Sequence, residues 1–225
     1  MSEEQAQQTE QKETGLRLLE PTIMPLYPTP MFLGKVSDDN FVDELTDKIY
    51  RLKEASYGSF EAGTFTTWDD LHSNSEFDEF NELVLHETFA AMDFLRIKRD
   101  NHYITNMWAN VSNPTHRHPV HIHPNCLLSG ILYLKTPEKC GGTTFTDPRP
   151  GARVFEPTYT ELFEFNSGRF TYPAKKGMML IWPSWLPHGV ERGFTEDETQ
   201  DRITIAFNVQ MIGKIEGRTT KLELK

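Results

Sequence analysis

Cysteine is nearly absent: Cys126 and Cys140 are the only two in 225 residues. They make neither a disulfide framework nor a CxxC motif, which excludes a small secreted scaffold held by staples and suits a reducing compartment. Long apolar runs are missing too, and none reaches the roughly 20 residues that a membrane-spanning helix needs. The opening residues, MSEEQAQQTEQKET, lack the hydrophobic region of a signal peptide. A soluble, cytoplasmic protein with no membrane partner is the expectation. Basic charge is also scarce. Lys and Arg number 23 against 33 Asp and Glu, a formal net charge of -10. With no basic cluster to offset it, no nucleic-acid partner is expected. The longest basic run, RIKR at Arg96 to Arg99, suits the C-terminal end of a helix, where cations favour the dipole.

Length and composition fit one domain. Residues 1–18 are polar, rich in Gln and Glu, and expected to be disordered, leaving 19–225 as the domain. In PTIMPLYPTPMFLGKV, the four prolines Pro21, Pro25, Pro28 and Pro30 forbid a helix. Ser37 can cap a helix whose Phe41, Val42, Leu45, Ile49 and Leu52 fall at helical intervals. Residues 56–74 read as a long loop with Phe60, Phe65 and Trp68 to bury, a candidate substrate lid. A second helix is expected from Ser75 to about Arg99, with Phe80, Leu83, Val84, Ala91 and Leu95 on one stripe. Then HYITNMWANV, CLLSGILYLK, GGTTFTD, ELFEFN, RFTYPA, GMMLIWP and RITIAFNVQMI are short β-like runs separated by Gly, Pro and Asn. Two helices followed by strands predict an α+β, mainly β fold. We expect a jelly roll with helical support over 37–99 and a β core over 100–212.

Histidine is concentrated. Four of the eight lie in THRHPVHIHPN, Thr115 to Asn125. In a strand, side chains alternate, so His121 and His123 project from one face. Two neutral imidazoles aimed at one point suit a first-row divalent metal. The third ligand must come from elsewhere, and His188, in GMMLIWPSWLPHGV, is the best candidate. A jelly roll brings such distant strands side by side. The plainer alternatives are a chance cluster for HxH and a turn histidine after Pro187 for His188. His116 and His118 are out of step with the later pair, and Pro119 interrupts a strand between them. They read as rim or substrate-facing residues.

Alternation in RITIAFN puts Arg202, Thr204, Ala206 and Asn208 on one face and Ile203, Ile205 and Phe207 on the other. An arginine among small polar residues suggests a cavity that holds an anion, since Arg binds carboxylates through paired hydrogen bonds and Thr204 can add another. The alternative is a surface salt bridge to the acidic stretch EDETQD, residues 196–201. Tyr133 can donate its hydroxyl to the same carboxylate. Trp108 and Asn110 lie upstream where they can line the pocket, with Asn125 and Asn208 as further candidates for its wall.

Taken in order, HIHPNCLLSGILYL, the GG of CGGTTFTDPR, GMMLIWPSWLPHGV and RITIAFN resemble the Fe(II)/2-oxoglutarate-dependent oxygenase superfamily. More narrowly, they resemble an oxygenase group of bacteria and phages with an HxHP…SGxxYL signature. The resemblance covers residues 100–210 or so. It implies a double-stranded β-helix, an iron ion at the barrel mouth, 2-oxoglutarate as cosubstrate with its distal carboxylate on Arg202, Thr204 and Tyr133, and O₂ as oxidant. The reaction implied is dioxygenation, most simply hydroxylation of a substrate. One departure matters: the superfamily's first motif is commonly HxD, and His123 stands where the Asp would be. Either the site has three histidines, the reading we favour, or another acid such as Asp147 completes it; Asn125 is a poor anionic substitute.

Two other classes compete. A cupin-like metalloprotein without 2-oxoglutarate shares the early HxH and a late Gly177, Pro183, His188 element. It usually adds a Glu shortly after HxH, however, where this chain has Cys126, Leu127 and Leu128, and it has no need of Arg202. A non-catalytic jelly-roll binding protein would keep the scaffold and lose the acid ligand. Acidic stretches at 38–47 and 196–201 disfavour polyanionic substrates and leave a peptide side chain or a small molecule. By analogy with other jelly rolls, the Pro-rich stretch 21–30 suggests a homodimer contact.

Overall fold

From Thr22 to strand β1 (Phe32–Lys35) the chain is irregular, as Pro25, Pro28 and Pro30 require, with a bend at Leu26–Tyr27 where Tyr27 takes φ 58°. The computed structural model describes residues 22–149, 151, 154–195, 197–217 and 219–224, so the expected disordered tail, residues 1–18, lies outside the described residues. Helix α1 (Asp39–Glu54) buries Val42, Leu45 and Ile49. Its cap is Asp38, one residue after the expected Ser37: Asp38 Oδ1 accepts from the Asn40 and Phe41 amides at 2.8 and 3.4 Å. A carboxylate caps as well as a hydroxyl and adds charge at the positive end of the helix dipole.

The stretch expected to be a lid loop is largely a hairpin, β2 (Gly58–Glu61) and β3 (Thr64–Thr67). Ala62 and Gly63, at φ 48° and 80°, form its two-residue turn. Two consecutive positive φ values match a type I′ turn, whose twist suits a hairpin. Helix α2 (Asp78–Phe94) begins behind a 3₁₀ turn over Ser75–Phe77 rather than at Ser75. It stops well short of Arg99 because Arg96 takes a left-handed φ of 54°. The amides of Arg96 and Ile97 return to the carbonyls of Asp93 and Met92, a Schellman ending. The basic run therefore lies just past the helix.

The remaining strands are β4 (Asn101–Ser112), β5 (His118–His121), β6 (Leu128–Lys135), β7 (Thr143–Thr146), β8 (Arg169–Tyr172), β9 (Met178–Pro183), β10 (His188–Val190), β11 (Arg202–Glu216) and β12 (Lys221–Leu224). ELFEFN is not among them: it forms turns between β7 and β8, with Leu162, Phe163 and Phe165 exposed. Asn166 fixes that turn, accepting from the Phe163 amide at 2.8 Å and donating to the Glu161 carbonyl at 2.9 Å. Alternating apolar residues there found no neighbouring strand.

These strands pair antiparallel, in a large sheet ordered β1-β9-β6-β11-β4-β3-β2, with β12 beside β11, and a small sheet ordered β5-β10-β7-β8. One face of the large sheet carries Met107, Leu132, Ile203, Ile205 and Phe207. It clusters with Val42, Leu45 and Ile49 of α1 and Phe80 and Val84 of α2. The other face turns to the small sheet, where Ile131, Tyr133, Leu180 and Trp182 meet Phe145 and Leu186. Each of these apolar side chains contributes about 1.5–3 kcal/mol on full burial. This mainly β, two-sheet architecture with helices on one outer face fits a jelly roll. Among the described residues no helix is long and apolar enough to cross a membrane.

The GG pair has a steric explanation. A Cβ on Gly141 would lie 1.9 Å from the Glu191 carbonyl oxygen, and one on Gly142 would lie 2.3 Å from that of Tyr172. Only glycine lets the chain enter β7 between β10 and β8 at this separation.

Candidate metal and anion site

The small sheet supplies the histidines. Strand β5 includes Pro119, contrary to expectation, because it is an edge strand and Pro needs no ladder donor on an open side. His121, its last residue, lies opposite His188, the first of β10, which in turn lies opposite Phe145 of β7. His123 lies beyond the strand, so alternation alone does not account for its position. Its backbone amide donates to the Ser184 carbonyl at 3.1 Å, tying the loop after β5 to the turn after β9. The ligand atoms of His121, His123 and His188 all fall within 4.8 Å of one another. Their ring centroids are 4.5 to 5.1 Å apart.

Two of the imidazoles are oriented the same way. His121 Nδ1 lies 2.9 Å from the Pro119 carbonyl and His188 Nδ1 lies 2.8 Å from the Leu186 carbonyl, in both cases two residues upstream. A carbonyl only accepts, so each Nδ1 carries the proton and each Nε2 keeps its lone pair for a metal. Trp182 Nε1 also lies 3.2 Å from His188 Nδ1. Its N–H cannot donate to a nitrogen already protonated, so this contact is better read as edge packing, with ring centroids 4.8 Å apart.

Burial holds His188 down to about 3 and His123 to about 4, and the neighbouring imidazoles push both the same way. Both rings are therefore neutral at neutral pH, the form that binds metal. The linked stability effect has a definite sign. Between pH 6.5 and about 3–4 the unfolded chain takes up protons that these two side chains refuse in the fold. Metal-free protein should lose stability as the pH falls through that window. Calorimetric melting from pH 7.5 to 4 should show the decline, flattened in a His188→Gln variant; parallel curves for the two proteins would contradict it.

His116 and His118 extend the row. The His118 ring stands 4.7 Å from that of His121, and His116 lies 6.4 Å from His118. Neither belongs to the three-ligand group found among the described residues. Asp147 is also outside that group: its carboxylate grips Arg149 through Nε at 2.9 Å and Nη2 at 2.8 Å.

Arg202 begins β11 deep between the sheets and is 3% exposed. Its Nε donates to the Gly141 carbonyl at 2.9 Å, while Nη2 is buried with no partner among the described residues. Its guanidinium carbon lies 5.5 Å from the Tyr133 ring centroid. The described acids of the expected competitor, the acidic stretch before it, are engaged elsewhere. Asp201 pairs with Lys53, Glu198 meets Asn113 and Thr115, and Asp197 accepts from Thr199 and Gln200. A buried cation without a carboxylate is costly unless an anion joins it. Tyr133 is fully buried, its hydroxyl 2.6 Å from Thr143 Oγ1 and 3.2 Å from the Thr143 amide. If Thr143 donates its hydroxyl proton, the phenol proton stays free for an anion. Thr204 lies directly opposite Tyr133 in the ladder. Thr143 and Phe145 are two residues apart on β7, which sets the arginine end of the cavity about 7 Å along the strand from the histidine end.

Residues 106–208 match the model of a family described as "Putative 2OG-Fe(II) oxygenase". This segment, a little under half of the chain, resembles the 2-oxoglutarate–Fe(II) oxygenase family. No curated protein sequence matches the chain significantly. Among solved structures, the fold is similar to a prolyl-4-hydroxylase of Pseudomonas putida, with TM-score 0.58, 13% identity and coverage of 82% of this chain and 94% of that one. It is similar to HygX of Streptomyces hygroscopicus, solved with nickel, 2-oxoglutarate and hygromycin B, with TM-score 0.54, 15% identity and coverage of 81% and 83%. It is also similar to SnoK, an α-ketoglutarate-dependent carbocyclase of nogalamycin biosynthesis, with TM-score 0.58, 15% identity and coverage of 82% and 81%. At these identities the likeness is one of fold.

Within this segment the expected wall residues divide. Trp108 is half-buried, its ring 5.7 Å from that of His123. Asn110 accepts from Thr66 Oγ1 at 3.0 Å through its side-chain carbonyl, across the β3–β4 ladder in which the two residues lie opposite each other. Asn125 occupies an exposed turn at φ 62°, where Asn tolerates the left-handed region, and its backbone carbonyl accepts from Gln210. Asn208 lies on the face of β11 that carries Arg202 and Thr204. It is 2% exposed and spends both side-chain groups on protein, accepting from Ser129 at 2.6 Å and donating to Asn106 at 2.9 Å. Sequence reasoning passed over Ser129, Ser184, Asn106 and Thr143. Only the face shared by Ser129 and Tyr133 in SGILYL signalled any of them.

Proposed function

We propose that this protein is an Fe(II)- and 2-oxoglutarate-dependent dioxygenase that acts on a peptide side chain or small molecule, most simply by hydroxylation. The observation that carries this reading is Arg202: a buried guanidinium with an Nη2 that has no partner among the described residues, in the same inter-sheet space as three converging imidazoles. In this reading the fold is a double-stranded β-helix. Its support is that β4, β6, β9 and β11 lie in one sheet and β5, β7, β8 and β10 in the other, so that the chain crosses between sheets repeatedly. The donor set fits iron, since imidazole suits first-row metals and three protein ligands leave positions open.

His121, His123 and His188 would hold the metal. Arg202, with Thr204 and Tyr133, would hold the far carboxylate of 2-oxoglutarate. Bound iron and 2-oxoglutarate supply the oxidising power, consuming O₂ and releasing CO₂ and succinate. The protein's part is positioning. The Pro119 and Leu186 carbonyls fix which nitrogen faces the metal, and burial keeps His123 and His188 neutral. Arg202 gives the cosubstrate a single orientation through charge-assisted hydrogen bonds. Trp108 beside His123 forms a flat apolar wall for a substrate.

Succinate formation by the purified protein tests the reading. It should require added Fe(II), 2-oxoglutarate and O₂, and should stop with a chelator. Iron binding without succinate, and without a visible absorption band on adding 2-oxoglutarate anaerobically, would instead favour the cupin-like reading. No metal binding would leave a scaffold without chemistry.

A further inference from the structure

We propose that Ser129, Ser184 and Asn208 form a directed hydrogen-bond relay that positions His123 for metal, a role that rests on the metal-site reading above. His123 needs such help because it is the one histidine of the three that no strand carries: β5 ends at His121. Its loop is held at both ends by a single residue. Ser184 accepts from the His123 amide at 3.1 Å through its carbonyl and donates its own amide to the Leu127 carbonyl at 3.1 Å. The position of Ser184 therefore fixes the path of the loop between those two residues.

Ser184 is itself held through its side chain. Its Oγ lies 2.8 Å from Ser129 Oγ, and Ser129 Oγ donates to Asn208 Oδ1 at 2.6 Å. Asn208 Nδ2 donates to Asn106 Oδ1 at 2.9 Å. Proton bookkeeping makes the chain one-way. Asn208 Oδ1 can only accept, so the single Ser129 proton goes there and Ser184 must donate to Ser129. Asn208 sits where the β11–β4 register shifts, a bulge of the kind that re-aims side chains. Ser129, Ser184 and Asn208 are at most 2% exposed. In such a dry setting a missing link leaves a buried polar group unsatisfied and loosens what it held. The relay thus ties three strands of the large sheet or their ends to one ligand of the metal site.

The test uses Co(II) as probe, in anaerobic full-length protein, reading both affinity and the visible ligand-field spectrum. Wild type should bind one Co(II). Ser129→Ala should bind about tenfold more weakly, the scale seen when a partner behind a metal ligand is lost. Its absorption bands should shift, and Ser129→Thr, which keeps the hydroxyl, should restore both. In a His123→Ala background the Ser129→Ala change should add nothing to the loss, because the relay acts through that ring. If Ser129→Ala fails to fold, Ser184→Ala, which keeps the Ser129–Asn208 bond, should give the same shift. A Ser129→Ala protein that melts earlier yet binds Co(II) with wild-type affinity and spectrum would overturn the relay alone. Absence of Co(II) binding by wild type would overturn the metal-site reading and the relay with it.

Discussion

Replacing His188 with Ala should abolish tight metal binding and, with it, succinate formation. The side chain is 5% exposed, and its Nε2 is the free end of a ring held from behind by the Leu186 carbonyl. Losing a residue behind a ligand already costs 10–100-fold in metal affinity, so losing a ligand should cost more than about 100-fold. A separate effect on the fold is expected and smaller: the Leu186 carbonyl loses its donor, a cost of about 1–3 kcal/mol. Isothermal titration with Co(II), alongside circular dichroism of the metal-free variant, separates the two. Wild-type affinity in a folded His188→Ala protein would remove His188 from the site.

Arg202→Met should separate ligand binding from stability in the opposite sense. Truncating one partner of a buried, hydrogen-bonded charge pair costs about 2–5 kcal/mol, so 2-oxoglutarate affinity should fall between about 30-fold and a few thousand-fold. Metal binding should survive, because Arg202 is not in the three-histidine group and its end of the cavity lies about 7 Å along the strand from the histidine end. Stability of the ligand-free protein should hardly change. The variant loses the Nε bond to Gly141 but also sheds a buried charge whose Nη2 has no partner among the described residues. Replacing buried ionic groups with apolar ones of similar volume is often neutral or stabilising. A variant that still saturates with 2-oxoglutarate like wild type would show that the anion is held elsewhere. One that collapses on melting would show that the guanidinium serves the fold.

What the sequence disclosed, and what it concealed, follows from the range of the forces involved. Local periodicity marked both helices and the strand faces, so alternation by itself was enough to put Arg202, Thr204 and Asn208 on one face of a strand, while the place of Tyr133 beside them depends on the β6–β11 pairing. The nearness of His121, His123 and His188 followed from motif spacing plus fold class. The β2–β3 hairpin was hidden because Gly58, Ser59 and Gly63 dilute the apolar signal of Phe60 and Phe65, and Ala62–Gly63 is an uncommon spelling of a type I′ turn. ELFEFN misled in the other direction: alternation records what a strand would bury, not whether a neighbour exists to pair with it. Hydrogen-bond partners were beyond reach. Ser129 and Asn208 are 79 residues apart, and nothing in either neighbourhood names the other. The proton positions on His121 and His188 likewise depend on carbonyl directions that only the folded backbone defines.

The two sheets differ in how they are sheltered, and this divides the cavity unequally. The large sheet is covered by helices on one side and by the small sheet on the other, whereas among the described residues neither helix belongs to a cluster with the small sheet, on whose outer face Val120 is exposed. Its strands are also only three or four residues long. Sub-global opening should therefore begin there, and amide exchange should be fastest across β5 and β10 while β11 stays protected. His121 and His188 stand on the wall that opens and Arg202 on the wall that endures. A metal spanning β5, its following loop and β10 would then act as a clasp on the weaker half of the fold, so that occupancy and local order rise together.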